Sequence, residues 1–520
     1  MRTKLLTLAL LLLATLAAQA DVTINQTNFP DANFRSYLLS LYPKGYLTNS
    51  EVQNLTTLDV SSKNISNMKG VELLTYLQTL KCQNNRLTSL VVYDGYNNTL
   101  RAVYCDENPN LISIKFTGCK VLQTLSCENC TALDTLRCYS NDLINLDVSG
   151  CTALTWLQCH WNPNLSSIDG LNQCKALKLF HCNGCAFTNI DVVNTFNDLE
   201  NLICYGNHLR TIKITNKRNL TKLDAGDDDV MYKFTVTGCP RLKFAHCSNC
   251  PALETIICHD NESLEVLYMM ETPTMSYVEC YNCPQLNYMQ GIENCTQLDI
   301  LICYGCNIRY FEWEKLQNLT QLFCHDNKLE ELDLSGHTKL RWLYCENNQL
   351  STLDVRGCSA LTDLICCNNQ LTSLDVQGCS ALNFIRCDKN QISGEGMTTL
   401  VGSLPARSAD NPGTLRVINN FDSTPTENNA MAAAQIATAT AKHWTAEHYI
   451  GYLDWVEYSA TTPGDVDGDG QVTIGDGTAI IDLILSRSAT VQDYPAADVD
   501  GDGQITIGDV TAIIDALLNN

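Results

Sequence analysis

The sequence predicts an α/β-type repeat solenoid, mostly of short parallel strands, followed by a small all-α module. Three observations predict it. Cys324, Cys345, Cys366 and Cys387 recur every 21 residues, each closing an L-x-x-L-x-C-like stretch. Between them lie Leu329-Glu-Glu-Leu-Asp, Leu350-Ser-Thr-Leu-Asp and Leu371-Thr-Ser-Leu-Asp, so each repeat is two quasi-equivalent halves. Near the C-terminus two twelve-residue loops of aspartate and glycine stand 33 residues apart, each followed by one apolar-patterned helix.

Composition sets the outer limits. Of 520 residues, 45% are hydrophobic and 18% charged, enough to bury large cores and too apolar for a disordered chain. Asp+Glu number 57 against Lys+Arg 34, a net charge of −23. That balance argues against nucleic acid, which selects basic surfaces, and against an anionic membrane surface.

Residues 1–20 read as a secretory signal peptide. Arg2 and Lys4 open it, Leu5 to Leu16 form its apolar stretch, and Ala18-Gln19-Ala20 is a small-x-small cleavage site. The apolar run is short of the ~20 residues a membrane span needs. The expectation is a secreted or cell-surface protein with no membrane insertion.

Residues 21–76 read as an N-terminal cap, with a helix over 28–39. Residues 41–51 occupy a place where related secreted proteins carry a calcium-loop-like segment, but they lack its acidic ladder, so no calcium is expected there.

The repeats extend over 77–390, roughly 14–15 coils at 21–22 residues each. Alternation within L-x-x-L-x-C puts apolar residues on one side of a short strand. One coil cannot bury that side alone, so coils stack. Asn85, Asn108, Asn141, Asn162, Asn207, Asn261, Asn327, Asn348, Asn369 and Asn390 stand where the chain leaves a strand, and their amides can satisfy turn backbone groups. Cys130, Cys185, Cys250, Cys283 and Cys306 take the same offset. This N/C alternation resembles the leucine-rich repeat. The steps 127→138, 247→258 and 258→269 are only 11, half a coil, and should change the face on which a strand lies.

The 28 cysteines admit three readings. Export permits disulfides, although parallel Cβ vectors in stacked coils disfavour them. Pairs such as Cys127/Cys130 and Cys303/Cys306 have the C-x-x-C spacing of zinc sites, which the repeat itself explains. Buried free thiols are the favoured reading.

Residues 391–463 read as a C-terminal α/β cap and linker: a helix over 394–404, a strand over 414–418, a helix over 427–443 and a strand beyond Trp444. His443, Glu447 and His448 read as surface residues, not metal ligands.

The two loops carry the sharpest chemistry. Asp465, Asp467 and Asp469 supply carboxylates at positions 1, 3 and 5. Gly470 permits the turn, Gln471 offers its backbone carbonyl, Thr473 acts through water and Asp476 closes the shell. Asp498, Asp500, Asp502, Gln504, Thr506 and Asp509 repeat the pattern. So many hard oxygen donors select Ca²⁺, two sites in all. Residues 465–520 hold 11 aspartates against Arg487 alone. Calcium is therefore expected to be needed for this module to fold.

Segments 464–485 and 497–518 agree at 17 of 22 positions, with one helix after each loop, none of EF-hand length before it, and Asp in last place. In this the module resembles a type I dockerin, an EF-hand-like calcium-binding domain. The resemblance implies docking of 464–520 onto a cohesin-like module, in either of two orientations related by a pseudo-twofold. It also implies a recognition surface near Gly475, Gly477, Gly508 and Val510, where the Ser/Thr pair of the best-known dockerins is missing.

No nucleophile elbow, zinc-protease helix or phosphate loop is present. His160, His181, His246, His259 and His325 lie beside strand cysteines but should face away from them, which precludes a Cys/His dyad. No enzyme is expected. Trp156, His160, Trp161, Tyr205, Tyr281, Tyr304, His325, Trp342 and Tyr344 should form an outward aromatic stripe, which either shields the sheet or recognises a ligand. The resulting expectation is an exported, non-catalytic binding or adhesion protein with a protein or glycan ligand on the solenoid. The alternative is an accessory glycan-binding part of an extracellular polysaccharide-degrading complex.

Overall fold

The structure, a computed structural model, describes residues 21–92, 99–419, 426–451, 454–457, 464, 466, 472–486, 494–500 and 503–519. The segment read as an export signal lies outside them. The chain forms two compact units, one of residues up to Leu253 with Ile257–Thr272, the other of Glu254–Ile256 with everything from Pro273.

In the first unit, helix Ala32–Leu41 packs Phe29 and Phe34 edge-to-face, ring centres 5.4 Å apart, with both rings fully buried. Gly70 sits against this pair at φ +103°. A Cβ there would lie 2.4 Å from the Phe29 ring and 2.3 Å from the Asn28 carbonyl oxygen, so only glycine fits.

Asp31 caps the helix and fastens it to the first coil. One carboxylate oxygen accepts the Phe34 N–H at 2.9 Å. The other accepts the Ser66 N–H at 2.9 Å and its hydroxyl at 2.7 Å. Burial pushes the Asp31 carboxyl up, but these hydrogen bonds together outweigh it and hold it below its ordinary value. A depressed carboxylate stabilises the fold above its unfolded value and loses that contribution as pH falls. Asp31→Ala is expected to cost about 1–2 kcal/mol at neutral pH. The difference from wild type in denaturant midpoint should shrink steadily below about pH 4.

Stacked strands begin at Thr57–Asp59, one coil ahead of the expected start. That strand pairs in parallel register with Thr79–Lys81, followed by Ala102–Tyr104, Thr124–Ser126 and Asn145–Asp147. The middle residues, Leu58, Leu80, Val103, Leu125 and Leu146, are at most 1% exposed. A second parallel sheet runs from Ser89–Val92 through Ser113–Phe116, Thr135–Arg137, Trp156–Gln158, Leu179–His181, Asn201–Ile203, Lys222–Asp224 and Phe244–His246 to Val266–Tyr268.

Each coil thus has two strand places half a turn apart. This accounts for the half-coil step: Cys127 closes a strand of the first sheet and Cys138 one of the second. The cysteine-bearing motif changes face while the coil length stays constant.

In the second unit, Tyr277–Glu279, Ile300–Ile302, Gln321–Phe323, Trp342–Tyr344, Asp363–Ile365, Phe384–Arg386 and Gly413–Asn419 form one parallel series. Trp444–Gly451 extends it, and Asp454–Glu457 ends it antiparallel. Glu331–Asp333 and Thr352–Asp354 pair at the other strand place.

The capping helices are Gly394–Ser403 and Ala433–Ala441. The second is shorter than the 427–443 expected, because Glu427 and Asn429 are employed otherwise. Glu427 accepts the N–H groups of Lys389 and Asn419. Asn429 donates to the carbonyls of Cys387 and Val417, both at 2.8 Å, and accepts the Ile392 N–H at 2.7 Å. Nearby, Glu447 pairs with Arg416 at 2.9 Å.

Nine of the ten ladder asparagines donate to two strand carbonyls and accept at least one N–H; Asn261 gives its amide to the Val236 carbonyl and the Cys258 sulfur. Asn108 donates to the carbonyls of Cys82 and Cys105 at 3.0 and 2.9 Å and accepts the Leu87 N–H at 3.2 Å. Asn327 does the same with Cys303, Cys324 and Ile308 at 2.8, 3.1 and 3.0 Å.

All 28 cysteines are buried, and none is joined in a disulfide. Their role exceeds apolar filling, because many act as donors. Cys130, Cys185 and Cys306, at the asparagine place, donate S–H to the preceding strand carbonyls of Cys105, Cys159 and Cys280 at 3.3, 3.3 and 3.2 Å.

Candidate functional site

Both helices of the tail start in the same way. Thr473 and Thr506 precede helices Ile474–Ser486 and Ile507–Asn519. Their hydroxyls accept the N–H groups of Gly475 at 3.0 Å and Gly508 at 3.1 Å. Asp476 and Asp509 return the bond, each accepting the threonine's own N–H at 2.7 Å. This reciprocal cap satisfies donors that a helix start leaves over.

The other oxygen of each aspartate reaches back across its loop, to the N–H of Val466 at 2.6 Å and of Val499 at 2.7 Å. Both aspartates are 0% exposed. Position 12 of the loop therefore joins loop to helix through the backbone, and position 9 caps the helix, a role beside the water-mediated one expected of it.

Asp465, Asp467, Asp469 and Gln471 of the first loop and Asp502 of the second lie outside the described residues. In the second loop the structure gathers Asp498, Asp500 and Asp509, whose carboxylate oxygens lie within 4.8 Å of one another. One Asp498 oxygen accepts the Gly503 N–H at 3.1 Å, with Gly503 at φ +83°. The other is buried and has no hydrogen-bond partner. A carboxylate oxygen out of water and without a donor, beside two more carboxylates, suits a hard cation. The donor set fits Ca²⁺. Gln504 is exposed, on the same turn as Gly503.

The two halves close over a small core of Ile480, Ala497, Val510 and Ile513. Gly477 and Val510, expected near the recognition surface, belong to this interior: both are buried, and a Cβ on Gly477 would meet Val510 at 3.9 Å. They occupy equivalent positions in the two halves, and the small residue in one makes room for the larger in the other.

A different set of residues faces outward. Ile474, Ile481 and Leu485 are 73%, 39% and 72% exposed, and their counterparts Ile507, Ile514 and Leu518 are 68%, 40% and 78% exposed. Spacing i, i+7, i+11 aligns each trio along one helix face. The sequence carried this signal, hidden among the core-facing isoleucines beside it.

On the solenoid, the strand cysteines point inward and the histidines beside them are partly exposed, as at Cys159 and His160. Burial, and then His181, lowers His160 to about 4, so it is neutral near pH 7. The expected stripe is organised by ring contacts. In the first unit His160 stacks on Tyr139 at 4.5 Å, Arg137 lies over Trp156, and Trp161 meets Tyr205 edge-on. In the second unit Tyr281, Tyr304 and His325 stack at 4.7 and 4.4 Å, and Tyr344 meets Phe323 edge-on. Trp342 is half-exposed.

Residues 463–518 match the family profile of the dockerin type I domain. No curated protein matches the chain. Among solved structures, the functional domain of InlJ from Listeria monocytogenes is 26% identical over 64% of this chain and 78% of its own, with a TM-score of 0.25. An internalin from the same organism, inlF, is 16% identical over 84% and 99%, with a TM-score of 0.30. YopM from Yersinia enterocolitica is 17% identical over 65% and 84%, with a TM-score of 0.26.

A dockerin domain implies a cohesin partner and in general binds calcium, and proteins that carry one are typically extracellular. A leucine-rich solenoid implies protein binding. Among the described residues no helix is long and apolar enough to cross a membrane. Residues 463–518 are thus a dockerin type I domain, carried behind a parallel-strand solenoid of the leucine-rich repeat type.

Proposed function

We propose that the chain is an exported, non-catalytic binding protein, whose solenoid recognises a protein ligand and whose tail docks on a cohesin-type partner in a calcium-dependent manner. Asp498, Asp500 and Asp509 would hold the ion of the second loop with Asp502, and Asp465, Asp467, Asp469 and Asp476 that of the first. The backbone carbonyls of Gln471 and Gln504, and Thr473 and Thr506 through water, complete the two sets. When bound, calcium supplies positive charge that lets the carboxylates converge. The residues of the chain then hold each helix at a fixed angle to its loop through the Thr–Asp cap.

The observation that carries the docking is the duplicated apolar stripe. Ile474, Ile481 and Leu485 repeat as Ile507, Ile514 and Leu518, and exposed aligned apolar residues of this kind mark interaction sites. Because each helix bears a complete stripe, either can meet the same partner. The full chain is tested for capture by an immobilised type I cohesin, with calcium and with EGTA. Ile481→Asp or Ile514→Asp alone should leave capture largely intact. The pair together should abolish it by 100-fold or more, on the scale of buried hot-spot residues, at least about 2.7 kcal/mol. Capture that survives both EGTA and the double substitution sinks the reading.

For the solenoid, ring stacking favours protein over glycan. In the Tyr281–Tyr304–His325 column the rings cover one another's faces, which leaves edges for contact. A sugar platform needs an open face, and edges with hydroxyls and imidazole nitrogen suit polar side chains and backbone.

A further inference from the structure

The asparagine place of the coil has one rule: whatever stands there donates. Asn207 gives its amide to the carbonyls of Cys182 and Cys204 at 3.0 and 2.7 Å while its oxygen accepts the Phe187 N–H at 3.0 Å. Where cysteine replaces it, at Cys130, Cys185 and Cys306, the thiol donates to the preceding strand carbonyl.

Asp228 breaks the series. It stands at the next such place after Asn207, is 0% exposed, and accepts the Leu209 N–H at 3.0 Å with one oxygen, as Asn207 accepts Phe187. Its other oxygen takes the position of the ladder amide nitrogen. It is buried and has no hydrogen-bond partner. By the geometry of the series its neighbours there are carbonyl oxygens, those of Cys204 and Ala225, and two acceptors cannot bond.

We infer that Asp228 is held as a carboxylic acid, its O–H replacing the amide donor of the ladder, and that ionising it opens the coil at this point. The surroundings agree. The titratable groups facing it are Asp227 and Asp229 on its own turn, Cys182 and Cys204 of the preceding coils and Cys250 of the following one. None of these carries positive charge. Burial pushes the Asp228 carboxyl up to about 7, against the hydrogen bonds from Leu209 and Asn207.

A folded-state value above the unfolded one means that the native form binds the proton more tightly. Stability is then full below about pH 4, declines as pH rises toward 7, and is least above it. The solenoid has a proton-held joint inside its first unit.

The test is hydrogen exchange on the full chain at pH 5 and pH 8, corrected for intrinsic rates. Protection of residues 204–230 in wild type should fall by up to about a hundredfold over this interval. In Asp228→Asn, which restores the amide, it should hold. Asp227→Asn, at the exposed neighbour, should behave as wild type. Infrared spectra should show a carboxylic-acid band in wild type at pH 5 that fades by pH 8 and is missing from Asp228→Asn at both. Equal loss of protection in wild type and Asp228→Asn, or an unchanged acid band in the variant, overturns the inference. So does an Asp227→Asn variant that has lost the pH dependence.

Discussion

Removing calcium from the full chain is expected to unfold the tail and leave the solenoid standing. Hydrogen exchange should show helices Ile474–Ser486 and Ile507–Asn519 losing protection in EGTA, with the amides of 57–419 unchanged. The argument is one of magnitudes. Three carboxylates whose oxygens lie within 4.8 Å repel by at least about 3 kcal/mol per pair at an effective dielectric of 20. Three pairs exceed what the compact core of Ile480, Ala497, Val510 and Ile513 can offset at about 1.5–3 kcal/mol per buried large side chain, once the entropy of ordering the chain is subtracted. The Thr–Asp caps cannot close the gap, since each is worth about 1 kcal/mol. Asp509→Ala should reproduce the chelator's effect on the second helix even with calcium present. It removes a ligand and orphans the N–H groups of Val499 and Thr506 together. Tail helices equally protected with and without calcium would remove the ion from the account.

How far the sequence reaches depends on periodicity. Where residues repeat, the reading extends to atoms: the ten asparagines were assigned to turn backbone groups, and each makes those bonds. The half-coil steps were visible, but their resolution was not, because nothing in a spacing of 11 says that a coil has a second strand place half a turn away. Beyond the last repeat the signal ends. Asn429 continues the ladder from a stretch that reads as helix, since alanine-rich composition outweighs a single asparagine in any local reading. Thr473 and Thr506 were legible as loop positions and equally as helix caps; only the geometry shows the second role. The resemblance puts Gly477 and Val510 at a surface; the structure buries both in the interior of the tail, where their difference in size is complementary.

Removing one rung of the asparagine ladder should be among the most damaging single changes to the solenoid. Asn162 is fully buried. It donates to the carbonyls of Cys138 and Cys159 at 2.9 and 2.7 Å and accepts the Leu143 N–H at 3.0 Å. Asn162→Ala leaves the Leu143 N–H without a partner in an interior that water does not reach, and takes one of two donors from each of the carbonyls of Cys138 and Cys159, which keep Asn141 and Cys185. At about 1–3 kcal/mol for the unsatisfied group and about 0.5–1.5 kcal/mol for each of the two lost bonds, the loss is about 2–6 kcal/mol, at its upper end comparable with the whole stability of many domains. The chain itself supplies the graded control. Asn162→Cys copies Cys185, the residue at the next such place, whose thiol still reaches one carbonyl at 3.3 Å, and should lose roughly half as much. Denaturant midpoints of the full chain, ordered wild type above Cys above Ala, would show that the place is defined by donation. If cysteine proved as damaging as alanine, the thiols at Cys130, Cys185 and Cys306 would be packing groups only, and the donor rule on which the Asp228 inference depends would fall with them.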